Sequence, residues 1–299
     1  MIWFPFIFNF SIGKYDYVYV DEYQDLNKAQ LIMAKNALNK DTGRLIIFGD
    51  KYQSLYSWRM ADSSVIDSLR NEGLALELKL PISYRCPKEV IKLAKQYIPD
   101  ISCLNSADTG TVNYIGSNEL INKVMPGSFI LSRTNAPLIG LCLKFIKLGK
   151  KSNILGKDIG NNLAYLVKKS KKTSVKDFLK WLDLWKEAQL FRLKEQNKSA
   201  DIILDKYDCL LALSEDSNTC KEILNKITVL FDDNDKKNVI NCGTIHGAKG
   251  KETDNVFILN WTLRHSIIDG IESNFNEENN IYYVAITRAK QNLYFVNKY

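Results

Sequence analysis

The chain has 299 residues, 45% hydrophobic and 25% charged, with a formal net charge of +7. This is ordinary globular composition: it excludes a disordered or fibrous chain and leaves room for two domains. The modest basic excess fits a polyanionic partner better than an acidic substrate-binding surface, although a mildly basic enzyme would carry the same balance.

The six cysteines, Cys86, Cys103, Cys142, Cys209, Cys220 and Cys242, include no C-x-x-C pair, and His246 and His265 are the two histidines. The pattern fits neither a structural zinc site nor a disulfide framework, and points to buried free thiols in a reducing, intracellular compartment such as cytoplasm, nucleoid or nucleus. Met1 to Phe10 is aromatic and apolar. It lacks a basic n-region and a cleavage site, and is too short to span a bilayer, so it reads as a core segment and no membrane partner is expected.

In chain order, Tyr15–Val20 is a β-branched and aromatic run that reads as a buried strand. Lys28–Asn39 has helical spacing, with Asp25 or Asn27 as its cap. Arg44–Phe48 reads as a strand ending at Gly49-Asp50. Asp62 can cap a helix through Leu69, and Leu74–Leu78 reads as a strand. Pro87 suits the first position of a helix running to about Ile98. A second α/β unit follows, with strands at Thr111–Ile115 and Ser128–Ser132 and a helix at Ala136–Leu148.

From about Gly156 to Asp235 the pattern is helical: Gly160–Lys169, Ser174–Leu190, Asp201–Leu213 and Thr219–Phe231. Trp181 and Trp185 fall on or beside an apolar helix face and read as core before base-stacking platforms. Lys168, Lys169, Lys171 and Lys172 can track a phosphate backbone or simply face solvent. Strands return at Val239–Cys242, Asn255–Leu259 and Asn292–Val296, with a helix at Asn280–Ala289. Such alternation predicts parallel sheets with covering helices, and two sheets side by side would leave a cleft.

Five clusters sit at element ends. In Val20-Asp21-Glu22-Tyr23-Gln24-Asp25, two acids lie where a strand should end, the usual place for ligands in open α/β sheets. A carboxylate pair there can hold Mg²⁺ and polarise water toward a phosphate; a plain helix cap would leave the same residues. Gly49-Asp50-Lys51-Tyr52-Gln53-Ser54-Leu55-Tyr56-Ser57-Trp58-Arg59 adds a glutamine that can orient water, and aromatics that can stack on unpaired bases. Ser83-Tyr84-Arg85-Cys86-Pro87 suits a nucleotide, ring on ring and guanidinium on phosphate. Gly243-Thr244-Ile245-His246-Gly247-Ala248-Lys249-Gly250-Lys251-Glu252 allows close backbone approach, with Thr244 and His246 expected to alternate onto one side. Tyr282-Tyr283-Val284-Ala285-Ile286-Thr287-Arg288-Ala289-Lys290 places an arginine on a helix before the last strand, where it can meet a transferring phosphoryl group or simply face solvent.

In this order the five clusters resemble the UvrD/Rep-like superfamily 1 DNA helicases, from about Tyr15 to Val296 and least in the helical middle. The resemblance implies an α/β fold: a truncated RecA-like domain followed by a second RecA-like domain of the P-loop-NTPase type carrying a short helical insertion. The expected boundaries are 1–100 for the first, 101–155 with 236–299 for the second, and 156–235 for the insertion. It implies ATP as the nucleotide, with Mg²⁺ on Asp21 and Glu22 activating water. Gln24 would lie near the nucleotide, Gln53 would sense the γ-phosphate, and Tyr84 would stack on adenine. Arg85 and Arg288 would be γ-phosphate arginines facing it across the cleft. Glu252, preceded by Gly250, would contact the nucleotide.

Tyr56, Trp58, Thr244 and His246 match positions that touch single-stranded DNA, and Arg133-Thr134-Asn135 resembles a further motif on the DNA side. The partners implied are single-stranded DNA or junctions of single and double strands. The activity implied is ATP-driven translocation and unwinding, and the DEYQD form resembles the 3′-to-5′ members.

The family's G-x-x-x-x-G-K-[ST] loop has no counterpart here: the Gly-Lys pairs begin at Gly13, Gly149, Gly156 and Gly250, and none is followed by Ser or Thr. The lysine and hydroxyl that hold phosphates and Mg²⁺ are therefore absent from this sequence. Two expectations follow. The chain is the C-terminal part of a helicase whose loop comes from a separate chain or was lost by truncation, or it is a non-catalytic single-strand-binding or regulatory protein on a helicase scaffold.

Overall fold

A computed structural model describes residues 4, 7–8, 13–55, 76–196, 198–232, 238–263 and 275–298. The chain divides into two compact units. Unit 1 holds residues 1–82, 94–102 and 265–284, and unit 2 holds 83–93, 103–264 and 285–299.

Unit 1 is built on strand β1 (Tyr17–Val20), helix α1 (Lys28–Asn36) and strand β2 (Arg44–Ile47). The strands run parallel in the register Tyr17↔Arg44 to Val20↔Ile47. A parallel pair needs a crossover, and α1 supplies it. Asn27, one of the two expected caps, starts α1 through a capping box: its side chain accepts from Gln30 N at 3.0 Å, and its own N–H donates to Gln30 Oε1 at 2.9 Å.

Three expectations for this unit change. β1 is half-open, not buried: Tyr17 and Tyr19 are exposed while Val18 and Val20 are partly covered. Among the described residues β1 and β2 pair with each other alone, so both outer edges of the ribbon lack a described partner strand. Residues 76–80 form no strand, and Leu76, Leu78 and Leu80 are all more than 80% exposed. Their alternation has no described partner strand, and an unpaired strand gains no ladder. Phe4, Ile7 and Phe8 are exposed rather than core, and the two rings stack on each other at 5.9 Å. The helix expected from Asp62 lies outside the described residues.

Two-residue strands β3 (Ile82–Ser83) and β4 (Ser102–Cys103) flank helix α2 (Lys88–Ala94), which follows Pro87 as expected and stops earlier than Ile98.

Unit 2 contains β5 (Thr111–Gly116), α3 (Ser117–Lys123), β6 (Phe129–Ser132), α4 (Ala136–Lys147), β7 (Ser152–Leu155), α5 (Lys157–Lys169), α6 (Val175–Glu195), α7 (Asp201–Ser214), α8 (Cys220–Leu230), β8 (Phe231–Asp232), β9 (Ile240–Thr244) and β10 (Thr253–Leu259). Helix α9 (Phe275–Ile286) precedes the last strand, β11 (Ala289–Asn297). One seven-stranded sheet runs in the order β5-β11-β10-β6-β9-β7-β8, and its described pairings are parallel. Its central strands are buried on both faces, which is why Phe129-Ile130-Leu131 and Val256-Phe257-Ile258-Leu259 read as continuous apolar runs.

The four middle helices α5–α8 pack on this sheet. Phe178 and Leu182 of α6, Leu210 and Leu213 of α7, and Ile223 and Ile227 of α8 share one core with Ile130, Ile154, Cys242 and Phe257. Trp181 and Trp185 pack against that core, and Trp181 stacks on Phe178 at 6.1 Å. Lys168, Lys169, Lys171 and Lys172 are exposed at the α5–α6 turn. Among the described residues no helix is long and apolar enough to cross a membrane.

Two outcomes test this packing. Phe178→Ala removes a fully buried ring from the shared core and should cost about 3–5 kcal/mol in urea unfolding, whereas Leu184→Ala, 67% exposed, should stay within about 0.5 kcal/mol. All six cysteines are free, and five are buried with Cys103 partly open. An aromatic disulfide reagent should therefore titrate Cys103 first and the other five only on unfolding; rapid reaction of all six in the native chain would contradict the burial.

Candidate active site and nucleic-acid interface

In unit 1 the acid pair stands at the carboxyl end of β1. The backbone at Glu22 turns left-handed (φ 52°, ψ 47°), a conformation that costs a non-glycine residue roughly 1–2 kcal/mol. It is held by neighbours. Glu22 N donates to Asp21 Oδ1 at 2.9 Å, and Tyr23 N donates to Phe48 O at 3.0 Å.

Gln24 is fully buried, and its carboxamide bridges two loops. Its Nε2 donates to Glu22 Oε2, and its Oε1 accepts from Asp50 N at 3.0 Å. Asp50 in turn caps the turn Lys51–Gln53, accepting from Tyr52 N and from Gln53 Nε2, each at 3.0 Å. Asp21, Glu22, Gln24 and Gln53 therefore form one hydrogen-bonded group, joined through Asp50, whose ordering role its place in the Gly-Asp turn does not reveal. Gly49 permits the join: a Cβ there would lie 2.3 Å from Gln24 Oε1 and 2.5 Å from Tyr23 Cδ1. Tyr52 makes an edge contact with Tyr283 at 6.4 Å between centroids.

In unit 2, Tyr84 is 80% exposed. Arg85 Nε pairs with Glu252 Oε2, and Arg85 Nη1 donates to Thr287 O at 3.4 Å. Lys290 stands 3.8 Å from the other Glu252 oxygen. Gly250 lies in the turn just before Glu252. Arg288 lies in the turn after α9 rather than on the helix, and it is 1% exposed. Its guanidinium donates to Lys251 O at 3.3 Å and to Thr287 Oγ1 at 3.1 Å. The structure thus gathers Arg85, Glu252 and Arg288 around Thr287. Burial pushes the nearby Cys86 thiol up, and its bond with Ser83 and the two arginines pull the other way.

The remaining candidates lie at the carboxyl ends of adjacent strands, with Ser132 of β6 opposite Thr244 of β9. The expected alternation of Thr244 and His246 fails: β9 ends at Thr244, and Ile245 turns into the helical region to start the turn His246–Ala248. Thr244 Oγ1 accepts from Gly247 N at 3.2 Å. Arg133 and Thr134 are part-exposed, but Asn135 is buried and bonded to Asp205. Asp205 and Thr262, which accepts from Arg133 N at 3.0 Å, went unrecognised because each stands far along the chain from the turn it holds. Tyr56 and Trp58 lie outside the described residues.

The family model "UvrD/REP helicase N-terminal domain" matches residues 7–73, and "UvrD-like helicase C-terminal domain" matches 157–298. The chain belongs to the UvrD/Rep-like helicase family. It is 29% identical over 194 residues to the ATP-dependent DNA helicase PcrA of Bacillus subtilis, covering 54% of this chain and 26% of that protein. It is 23% identical over 382 aligned residues to a probable DNA helicase II homolog of Mycoplasma genitalium, covering 94% of this chain and 54% of that protein. Over 87 residues it is 39% identical to PcrA of Staphylococcus epidermidis, covering 29% of this chain and 12% of that protein. The chain thus spans about half the length of the Mycoplasma genitalium protein and less of the other two.

Two substitutions read the strain at the acid turn. Gly49→Ala should lower unfolding stability by about 1–3 kcal/mol through overpacking against Gln24. Glu22→Gly relieves the left-handed backbone but takes the acceptor from the buried Gln24 amide, so its unfolding midpoint should fall less than that of Glu22→Ala, which loses the same acceptor and keeps the strain. A Glu22→Gly midpoint no higher than that of Glu22→Ala would show that the turn holds no strain.

Proposed function

We propose that this chain carries the catalytic acids, the arginines and part of the DNA-contacting surface of an ATP-driven DNA translocase and helicase. The carrying observation is the Gln24 bridge, which fixes Glu22 and the Asp50–Gln53 turn as one group at a strand end.

In this reading Glu22 is the general base. One of its oxygens is oriented by the Gln24 amide, leaving the carboxylate to take a proton from attacking water. Asp21 is exposed and commits one oxygen to the Glu22 amide. This hard oxygen donor fits Mg²⁺, which binds through one or two carboxylates with water and substrate phosphates completing the shell. When bound, the ion supplies neutralisation of phosphate charge. Gln53, fixed by Asp50, reports on the γ-phosphate, and Tyr84 offers an open ring to adenine. Arg85 and Arg288 stabilise charge on the phosphoryl group. Glu252 holds Arg85 until nucleotide competes for it, and Gly250 leaves the turn before it open to the nucleotide. Gln24 acts through Glu22 and Asp50 rather than on the nucleotide.

Arg133, Thr134, Thr244 and His246 form the side-chain surface for single-stranded DNA, and Tyr56 and Trp58 stack on bases. The 3′-to-5′ direction follows the DEYQD likeness. ATP hydrolysis requires a G-x-x-x-x-G-K-[ST] loop, which these 299 residues do not hold. A second reading is a single-strand-binding protein without turnover.

DNA-stimulated phosphate release, measured with and without a polypeptide carrying that loop, separates the two. The expected result is turnover that needs the loop and falls by about 10²–10⁴ in Asp21→Asn/Glu22→Gln. Equal release by wild type and the double variant would sink the catalytic reading. Oligonucleotide affinity unchanged by Mg·ATP, with no turnover in either arm, would establish the binding-only one.

A further inference from the structure

The turn Ser132-Arg133-Thr134-Asn135 leads from β6 into α4, and every backbone donor along it is already committed inside the protein. Arg133 N donates to Thr262 Oγ1 at 3.0 Å, and Thr134 N to Ser132 Oγ at 3.4 Å. Asn135 N and Ala136 N both donate to Asp205 Oδ1, at 2.9 and 3.1 Å. Pro137 has no N–H, and Leu138 N closes on Asn135 O at 3.0 Å. The positive end of α4 is thus filled by a carboxylate of this same chain, where an anionic ligand would otherwise be welcome.

Asp205 reaches the turn from α7, one of the four middle helices. Its second oxygen takes Asn135 Nδ2 at 2.8 Å, so one carboxylate grips backbone and side chain together. Asn135 is 8% exposed, and its Oδ1 has no hydrogen-bond partner among the described residues. Its carboxamide faces inward to Asp205, so it is not on offer to a nucleic acid outside. Arg133 and Thr134 are part-exposed on the same turn. Cys209, one helical turn after Asp205, also points its thiol at Asp205 Oδ1 at 3.8 Å. Burial first, and then the Asp205 carboxylate, push that thiol well above its usual range.

We propose that Asp205 is the positioning residue of this turn: it holds Asn135 and the α4 N-terminus so that Arg133 and Thr134 are presented to single-stranded nucleic acid. Asn135 then serves through Asp205 and not by touching the nucleic acid. The proposal rests on the nucleic-acid reading given above. It makes the middle helices part of the binding surface's support, since α7 supplies the clamp.

The test is fluorescence anisotropy of the full chain with a labelled oligothymidine across a salt series. Asp205→Ala and Asn135→Ala should each weaken binding by about tenfold, the scale of one or two net hydrogen bonds lost. The double variant should be no weaker than Asp205→Ala alone, because that substitution already removes the Asn135 contact along with the two backbone ones. Neither should change the slope of log affinity against log salt. Arg133→Ala should flatten that slope by about 0.7, one single-strand phosphate contact. Asp205→Asn keeps an acceptor for the two backbone amides and gives Asn135 Oδ1 a donor once the Asn135 amide turns, so it should bind within about twofold of wild type. It also serves as the readout if Asp205→Ala does not fold.

Loss of affinity in Asn135→Ala with Asp205→Ala unaffected would make Asn135 a direct contact and overturn the proposal. Additive losses in the double variant, or Asp205→Asn as weak as Asp205→Ala, would overturn it too. A wild-type chain that binds no oligonucleotide at low salt would refute the nucleic-acid reading itself, a result separate from these.

Discussion

The buried carboxamide of Gln24 joins the end of one parallel strand to the loop after the next, and the chemistry assigned to unit 1 depends on that join. A primary amide offers donors and acceptor in one plane, so one side chain can hold a carboxylate on one side and accept a backbone N–H on the other. Buried, it must satisfy both ends or lose stability, and Glu22 and Asp50 are what satisfy them. The left-handed backbone at Glu22 and the close packing at Gly49 are its costs. A local strain kept in place by the surrounding bonds is common where a side chain must be aimed.

Unit 2 shows the same economy with charge. Arg288 is almost completely buried, a position that is expensive for a guanidinium unless its donors are used. Lys251 O and Thr287 Oγ1 take two of them, and the nearby carboxylate of Glu252 is shared by Arg85 and Lys290. The cluster is assembled from three stretches far apart in sequence, and the seven-stranded parallel sheet brings β10 and β11 together to do it. The middle helices share the core of that sheet, so the support reaches as far as Asp205 on α7.

Much of this was legible in the sequence wherever a segment's pattern had one physical meaning. The helices from 157 to 230 fell within a few residues of where their amphipathic spacing put them, α6 and α8 starting on the Ser174 and Thr219 caps, and the apolar runs of β6 and β10 marked the centre of a parallel sheet. Strand β7 escaped because Ser152 and Asn153 are polar; buried, Ser152 bonds to Cys142 O. Tyr17 and Tyr19 read as core because a strand's pattern does not say how many neighbours it has. The acid pair and the arginines could be placed at element ends from motif spacing. What spacing could not show was tertiary: that Gln24 is buried between loops, that Arg288 has left its helix, and that Asn135 is turned toward a carboxylate seventy residues on.

The most direct test of the Gln24 join is the DNA-stimulated turnover of Gln24→Ala, alone and combined with Glu22→Gln, in the presence of the phosphate-binding loop. If the bridge aims the base, Gln24→Ala should lose about 10²-fold or more in turnover, and the double variant should be no slower than Glu22→Gln alone. Full turnover in a folded Gln24→Ala chain, or losses that multiply in the double variant, would contradict it.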